Sequence, residues 1–229
     1  PLYSSAASDV YKRQMKTHQK RGMLVTIEGT EGVGKTTNID FAKAWLAAQN
    51  IDVTTTREPG GTPFAEQIRE LLLATRDEPV APLAELLMVF AGRAQHLHRL
   101  IEPTLSAGGW VICDRFTDAS YAYQGAGRGI DPQLIEQLEA IVQQGLQPDL
   151  TLILDVPVAE GLKRASARSE PDRFEREQVA FFERVRGCYL ARAEREPLRC
   201  VVIDASQSIT AVQAQLYRAL TAFLQRSGQ

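Results

Sequence analysis

Gly29-Thr30-Glu31-Gly32-Val33-Gly34-Lys35-Thr36 fits the spacing Gly-x4-Gly-Lys-Ser/Thr of a loop that cradles phosphates. It sits where that pattern must sit. A short apolar, β-branched run, Met23 to Glu28, precedes it, and a helix-like stretch, Thr37 to Gln49, follows. Glycines let consecutive backbone N–H groups turn inward around phosphate oxygens, which a Cβ would obstruct. The helix that follows adds its positive N-terminal end. Lys35 can reach the β- and γ-phosphates and the Thr36 hydroxyl can ligate Mg²⁺. Residues Gly29, Thr30, Glu31, Gly32, Val33, Gly34, Lys35, Thr36 and Thr37 are therefore the expected triphosphate-binding set. The chain is read as binding a nucleoside triphosphate.

The bulk properties set limits around that reading. At 229 residues the chain suits one α/β domain. Its 44% hydrophobic and 24% charged content are ordinary for a globular chain. A net charge of −2 gives no reason to expect nucleic-acid binding. No apolar run approaches the ~20 residues that span a bilayer, and no membrane or nucleic-acid partner is expected. Cys113, Cys188 and Cys200 are too scattered for a disulfide framework or zinc cluster, so a reducing cytoplasm is the simplest setting. Residues 1–22 read as a leader foreign to the fold. Ser4 to Gln14 resembles a translated sequencing adapter, Lys16 to Arg21 is a short basic tail expected to be disordered, and Met15 or Met23 is the more natural start. The single domain is then placed at 23–229.

Five apolar runs, at residues 23–27, 51–56, 110–113, 150–156 and 199–203, alternate with longer helical patterns. That alternation predicts a five-stranded parallel sheet with helices on both faces, in which ligands collect at the carboxyl ends of the strands. The unusual residues fall there: the glycine loop after the first strand, Arg57-Glu58-Pro59-Gly60-Gly61 after the second, Asp114-Arg115-Phe116 after the third. Thr62-Pro63 and Asp131-Pro132 carry the signature of helix starts. Pro82 to Leu105 is one long helical pattern ended by Gly108-Gly109, and Ser206 to Leu224 is a final amphipathic helix.

Residues 158–177 are dense in charge, with Lys163, Arg164, Arg168, Glu170, Asp172, Arg173, Glu175 and Arg176, and Ser169-Glu170-Pro171 interrupts their helical pattern. Either a lid that brings positive charge to a transferring phosphoryl group or a solvated mixed-charge helix fits this segment. An acceptor that is itself a phosphate needs no carboxylate base, only cations to bring two anions together. Arg57, Arg69, Arg93 and Arg115 cluster near the predicted ligand edge, and the guanidinium fork suits phosphate. His96 and His98, two apart on a helix, point in different directions and are read as surface or interface residues, without a shared metal.

With these motifs together the chain resembles the thymidylate (dTMP) kinases. The likeness is carried by Thr56-Arg57-Glu58-Pro59-Gly60-Gly61, by Asp114-Arg115-Phe116 through Ala122-Tyr123-Gln124-Gly125, by Gly127-Arg128-Gly129, and by Pro148-Asp149-Leu150-Thr151 through Leu154-Asp155-Val156-Pro157. It runs from Met23 to the C-terminus. It is closest to the bacterial form, whose phosphate loop lacks an arginine and whose lid supplies one. The resemblance implies a P-loop NTPase-type fold with a small lid, ATP as phosphoryl donor with Mg²⁺, dTMP as acceptor, and a homodimer. It implies Lys35, Arg115, Arg168 and Arg173 as catalytic residues, Arg164 beside the ATP, and Thr36 and Asp114 on the metal. Arg69 and Arg115 would grip the acceptor phosphate. Arg93 would donate to thymine O4 and Gln124 would meet N3–H, a pair that cytosine mismatches. Glu31, Glu58 and Ser120 complete the acceptor site.

Two departures are visible. The family's stacking phenylalanine stands four residues before the base-reading arginine, where this chain has Val89, so either Phe90 shifts into the role or the stacking differs. Ala119 occupies a common serine position, with Ser120 next to it. Other readings of the motifs are another nucleoside monophosphate or deoxynucleoside kinase, or a nucleotide-dependent switch. The Asp-x-x-Gly and Asn-Lys-x-Asp motifs of GTPase switches are missing.

Overall fold

The β-branched and apolar runs form five short strands: β1 (Leu24–Glu28), β2 (Val53–Arg57), β3 (Trp110–Asp114), β4 (Leu150–Asp155) and β5 (Cys200–Asp204). They build one parallel sheet in the order β2-β3-β1-β4-β5 in a computed structural model that describes residues 21–167, 173–175 and 177–228. Register is set by pairs such as Val25 with Ile112 and with Leu150. The expected fold class is the one observed.

Strand periodicity divides the core in two. Val25, Ile27, Ile112, Leu150, Leu152 and Leu154 face α1 (Lys35–Ala48) and α9 (Ile209–Ser227). Leu24, Val111 and Cys113 point the other way, onto Leu97, Ile101 and Leu105. Ile153 and Cys200 meet α8 (Val179–Arg195) through Phe181, Phe182, Val185 and Tyr189. This helix was not anticipated, although its apolar residues at three- and four-residue spacing mark a helix face.

The helix starts follow local chemistry. Thr62 Oγ1 accepts from Ala65 N at 3.3 Å to open α2 (Pro63–Leu73), and Asp131 Oδ1 accepts from Gln133 N at 2.9 Å to open α6 (Pro132–Gln143). The long 82–105 pattern is realised as α3 (Pro82–His96), a π-helical stretch Leu97–Ile101 and α4 (Glu102–Ser106). After β3 come α5 (Thr117–Ser120) and a second π-helical stretch, Tyr121–Gly127. The charged segment begins as α7 (Val158–Ser166) and has a turn at 173–175. The final helix is capped by Ser208, two residues later than Ser206.

The leader boundary moves. Residues 1–20 lie outside the described residues, but Arg21 pairs with Asp149 at 2.9 Å and Gly22 N donates to Leu105 O at 2.8 Å. Arg21 and Gly22, placed in the leader by the sequence, thus contact the residue before β4 and the helix α4. Among the described residues no helix is long and apolar enough to cross a membrane.

Candidate active site

The phosphate loop leaves β1 and enters α1 with Gly29, Gly32 and Gly34 at φ 137, 73 and 88. It is pressed against α7. A Cβ on Gly32 would stand 1.9 Å from Gly161 O, and one on Gly161 would stand 2.7 Å from Glu31 O. Lys35 Nζ folds back over the loop and donates to Thr30 O at 3.1 Å. Burial, with Arg115 nearby, pulls the Lys35 ammonium below its usual range. Such a cation gains from an incoming anion.

One cavity joins this loop to the ends of β2 and β3. Its wall includes Gly32, Gly34, Lys35 and Thr36, then Arg69, Asp114 and Arg115, then Arg93, Ser120 and Gln124. Arg115 takes a left-handed φ of 69, a conformation that costs a non-glycine residue energy and occurs where the surroundings impose it. Its guanidinium bonds Glu31 Oε1 at 2.9 Å and lies over the Tyr123 ring at 4.6 Å. Tyr123 also donates to Glu31, at 2.7 Å. Arg69 donates to Pro59 O at 2.9 Å, and burial, reinforced by Arg57, lowers its pKa. Arg115 repels both Lys35 and Arg69 across a cavity that a phosphate would neutralise. Arg57 is an exposed partner of Glu66.

Asp114 Oδ1 is buried and has no hydrogen-bond partner among the described residues. Orphaned buried carboxylate oxygens are rare without a ligand to satisfy them. With the Thr36 hydroxyl in the same cavity wall, this donor set fits Mg²⁺, which keeps several waters and binds through one or two protein oxygens plus phosphates. Among the described residues no cluster of three His, Cys, Asp or Glu could hold an ion by itself.

The far end of the cavity is built on α3. Arg93, 1% exposed, sits between the rings of Phe90 and Phe116, at 4.6 and 5.0 Å. Its Nε donates to Glu58 at 2.7 Å and its Nη2 to Ser120 at 3.0 Å and to Phe116 O. Nη1 is buried without a partner among the described residues, a donor ready for a carbonyl. Glu58 also receives His96 Nδ1 at 3.0 Å, and His96 Nε2 lies 2.7 Å from Thr56 Oγ1. Burial opposes the charge on Glu58, but Arg93 and His96 hold its carboxyl below the usual range.

Two expectations change here. His96 is fully buried in this network, because it lies three residues beyond Arg93 on the same helix face, whereas His98 is exposed. Phe90 is packed with Leu86 and Ile135, behind Arg93, and Val89 lines the cavity instead. A one-residue step rotates a helical side chain by about 100°, so Phe90 cannot take over the position of Val89. The arginines of the charged segment expected to form a lid are also distributed unexpectedly. Arg173 donates to Leu72 O at 2.7 Å and to Glu85 at 2.6 Å, on the acceptor side. Arg164 donates to Ala205 O at 3.0 Å and pairs with Glu160. Arg168 lies outside the described residues.

Several contributors went unseen in the sequence. Glu28, beneath the loop, accepts from Phe116 N at 2.7 Å and Tyr189 OH at 2.8 Å. Asp118 pairs with Arg192 and, at 2.7 Å, with Arg199. Glu85 holds Gln124. The stripe Glu85, Val89, Arg93, His96, at helical spacing on α3, was the signal available.

A phosphate-gripping loop, a second cation cluster and a polar far end in one cavity define a P-loop kinase for nucleoside monophosphates. Residues 27–216 match the family described as Thymidylate kinase. A thymidylate kinase of Teredinibacter turnerae is 60% identical over 89% of this chain and 99% of its own length. One of Chromohalobacter salexigens is 58% identical over 87% and 95%. A crystal structure of thymidylate kinase from Ehrlichia chaffeensis superposes with a TM-score of 0.70 at 35% identity, covering 88% of this chain and 99% of that one. The chain belongs to the thymidylate kinase family.

Proposed function

We propose that the cavity carries out the family reaction, transfer of the γ-phosphoryl of Mg·ATP to dTMP, with the residues assigned as follows. The observation that carries the assignment is the single cavity wall running from Lys35 through Arg115 to the unpartnered Nη1 of Arg93. Lys35 and the loop amides hold the β- and γ-phosphates. Arg69 and Arg115 hold the acceptor phosphate in line, overcoming the repulsion between two anions. Arg93 donates to thymine O4, Gln124 accepts from N3–H, and Glu31 with Tyr123 borders the sugar. An oxygen of dTMP bonds to the γ-phosphorus as the bond to the ADP oxygen breaks. That oxygen carries no proton to remove, so no general base is assigned.

Thr36 and Asp114 would hold the Mg²⁺ that accompanies ATP, and the ion would neutralise charge on the phosphates. Since no arginine lies between Gly29 and Lys35, positive charge for the transferring group is assigned to the lid, with Arg168 the candidate and Arg173 the anchor. Exposed Phe64 and Leu71 on α2, with Leu83 and Leu87 on α3, support a homodimer formed through these helices. A cytoplasmic setting suits the three free thiols.

The test is an ADP-release assay over dTMP, dUMP, dCMP, AMP and GMP. dTMP is expected to give the highest kcat/KM. A preference for a purine or cytidine monophosphate contradicts the assignment of Arg93 and Gln124.

A further inference from the structure

Gln124 can read a base only if its amide faces the right way, and an amide has two faces. Its carbonyl accepts and its NH₂ donates, and the two differ by a half-turn about the last torsion. In this structure Gln124 Nε2 donates to Glu85 Oε1 at 2.9 Å. Glu85 is fully buried on α3. Its Oε2 receives Arg173 at 2.6 Å, and Arg128 Nε bridges both oxygens at 3.3 Å. A carboxylate set between two guanidinium groups accepts and does not donate. The NH₂ of Gln124 is therefore bound at Glu85, and its carbonyl oxygen is the end left for the cavity that Gln124 lines.

We propose that Glu85 is a positioning residue for base specificity. By holding the Gln124 amide in one orientation, it makes that side chain an acceptor for N3–H of thymine and a mismatch for the bare N3 of cytosine. Arg128, beside the cavity, and Arg173, from the lid segment, keep the carboxylate in place. This deepens the reading in which Gln124 meets the base, and rests on it.

The test compares kcat/KM for dTMP and dCMP in the unaltered protein, Glu85→Gln, Glu85→Asp and Gln124→Ala. Glu85→Gln puts a group there that can accept or donate, so the Gln124 amide is free to turn. The dTMP/dCMP ratio is expected to fall at least about tenfold. Glu85→Asp keeps the charge between Arg128 and Arg173 but withdraws it from Gln124. It should lower the ratio while its melting temperature stays nearer the unaltered protein's. An unchanged ratio in both variants, with only stability lost, overturns the proposal. An unchanged ratio in Gln124→Ala overturns instead the base reading beneath it. A fall in Gln124→Ala with none at Glu85 confines the failure to Glu85. Without any substitution, the Gln124 side-chain amide protons should exchange slowly with solvent by NMR. Exchange as fast as that of an exposed glutamine also counts against the proposal.

Discussion

Asp114 ends β3 with a buried carboxylate oxygen that no described residue satisfies. If that oxygen serves a metal or its waters, Asp114→Asn should reduce kcat about 10- to 100-fold and raise the Mg²⁺ concentration needed for half-maximal rate. A Mg²⁺ titration of the two proteins measures this; identical curves would remove Asp114 from the metal site. Glu28 makes a prediction about pH. Burial, with Asp118 nearby, pushes its carboxyl from 4.5 up to about 8, against opposing contributions from Arg115 and Tyr189. Between those values the folded protein holds a proton that the unfolded chain has released, so this residue's contribution to stability falls as pH rises from about 4.5 to about 8. Asp118, lowered by Arg199 and Arg192 despite its burial, acts oppositely and only in acid. Glu28→Gln should therefore flatten the decline of urea-unfolding stability between pH 5 and pH 8. An equal slope in both proteins would place the proton elsewhere.

Two elements decide the site's geometry. The phosphate loop is shaped by its own glycines but positioned by α7, where Gly161 allows backbone contact with Glu31. Gly161→Ala would push the loop away, because a Cβ there meets a backbone oxygen at 2.7 Å and neither side can swing aside. The KM for ATP should rise while the KM for dTMP changes less, as steady-state kinetics would show. On α3, His96→Ala removes a buried partner of both Glu58 and Thr56. A cost on the order of 1–3 kcal/mol in urea unfolding is expected, with a higher KM for dTMP as Arg93 loses its support. At this scale much was legible in the sequence. Turn glycines and the Thr62-Pro63 and Asp131-Pro132 starts announce themselves because local chemistry makes them. Helical spacing marks both the α8 face and the α3 stripe that ends in His96, but which partner covers each face depends on what packs opposite.

For the whole molecule, the exposed leucines of α2 and α3 carry the homodimer proposal. Leu87 is 48% exposed and stands four residues from Leu83, at 49%, so they share a face. Leu87→Glu should convert a dimer into a monomer in light scattering after gel filtration, without unfolding the chain. A monomeric unaltered protein would refute the interface. The proposed lid is the other large-scale feature, and two of its arginines are held apart, Arg164 at Ala205 beyond β5 and Arg173 at Glu85 on α3.

The sequence by itself determined the sheet, the phosphate loop and the arginines gathered at the strand ends. Strand alternation, glycine spacing and arginine chemistry are local properties, and each leaves a mark within a few residues. Only the tertiary structure decided which atoms remain free to work. Glu58 and Ser120 occupy part of Arg93 and leave Nη1, Glu85 occupies one end of Gln124 and leaves the other, and Arg173 is drawn to Glu85. Those partners stand 27 to 88 residues apart. Hydrogen-bond capacity is shared among whatever groups the fold brings together, and no stretch of sequence carries that distribution.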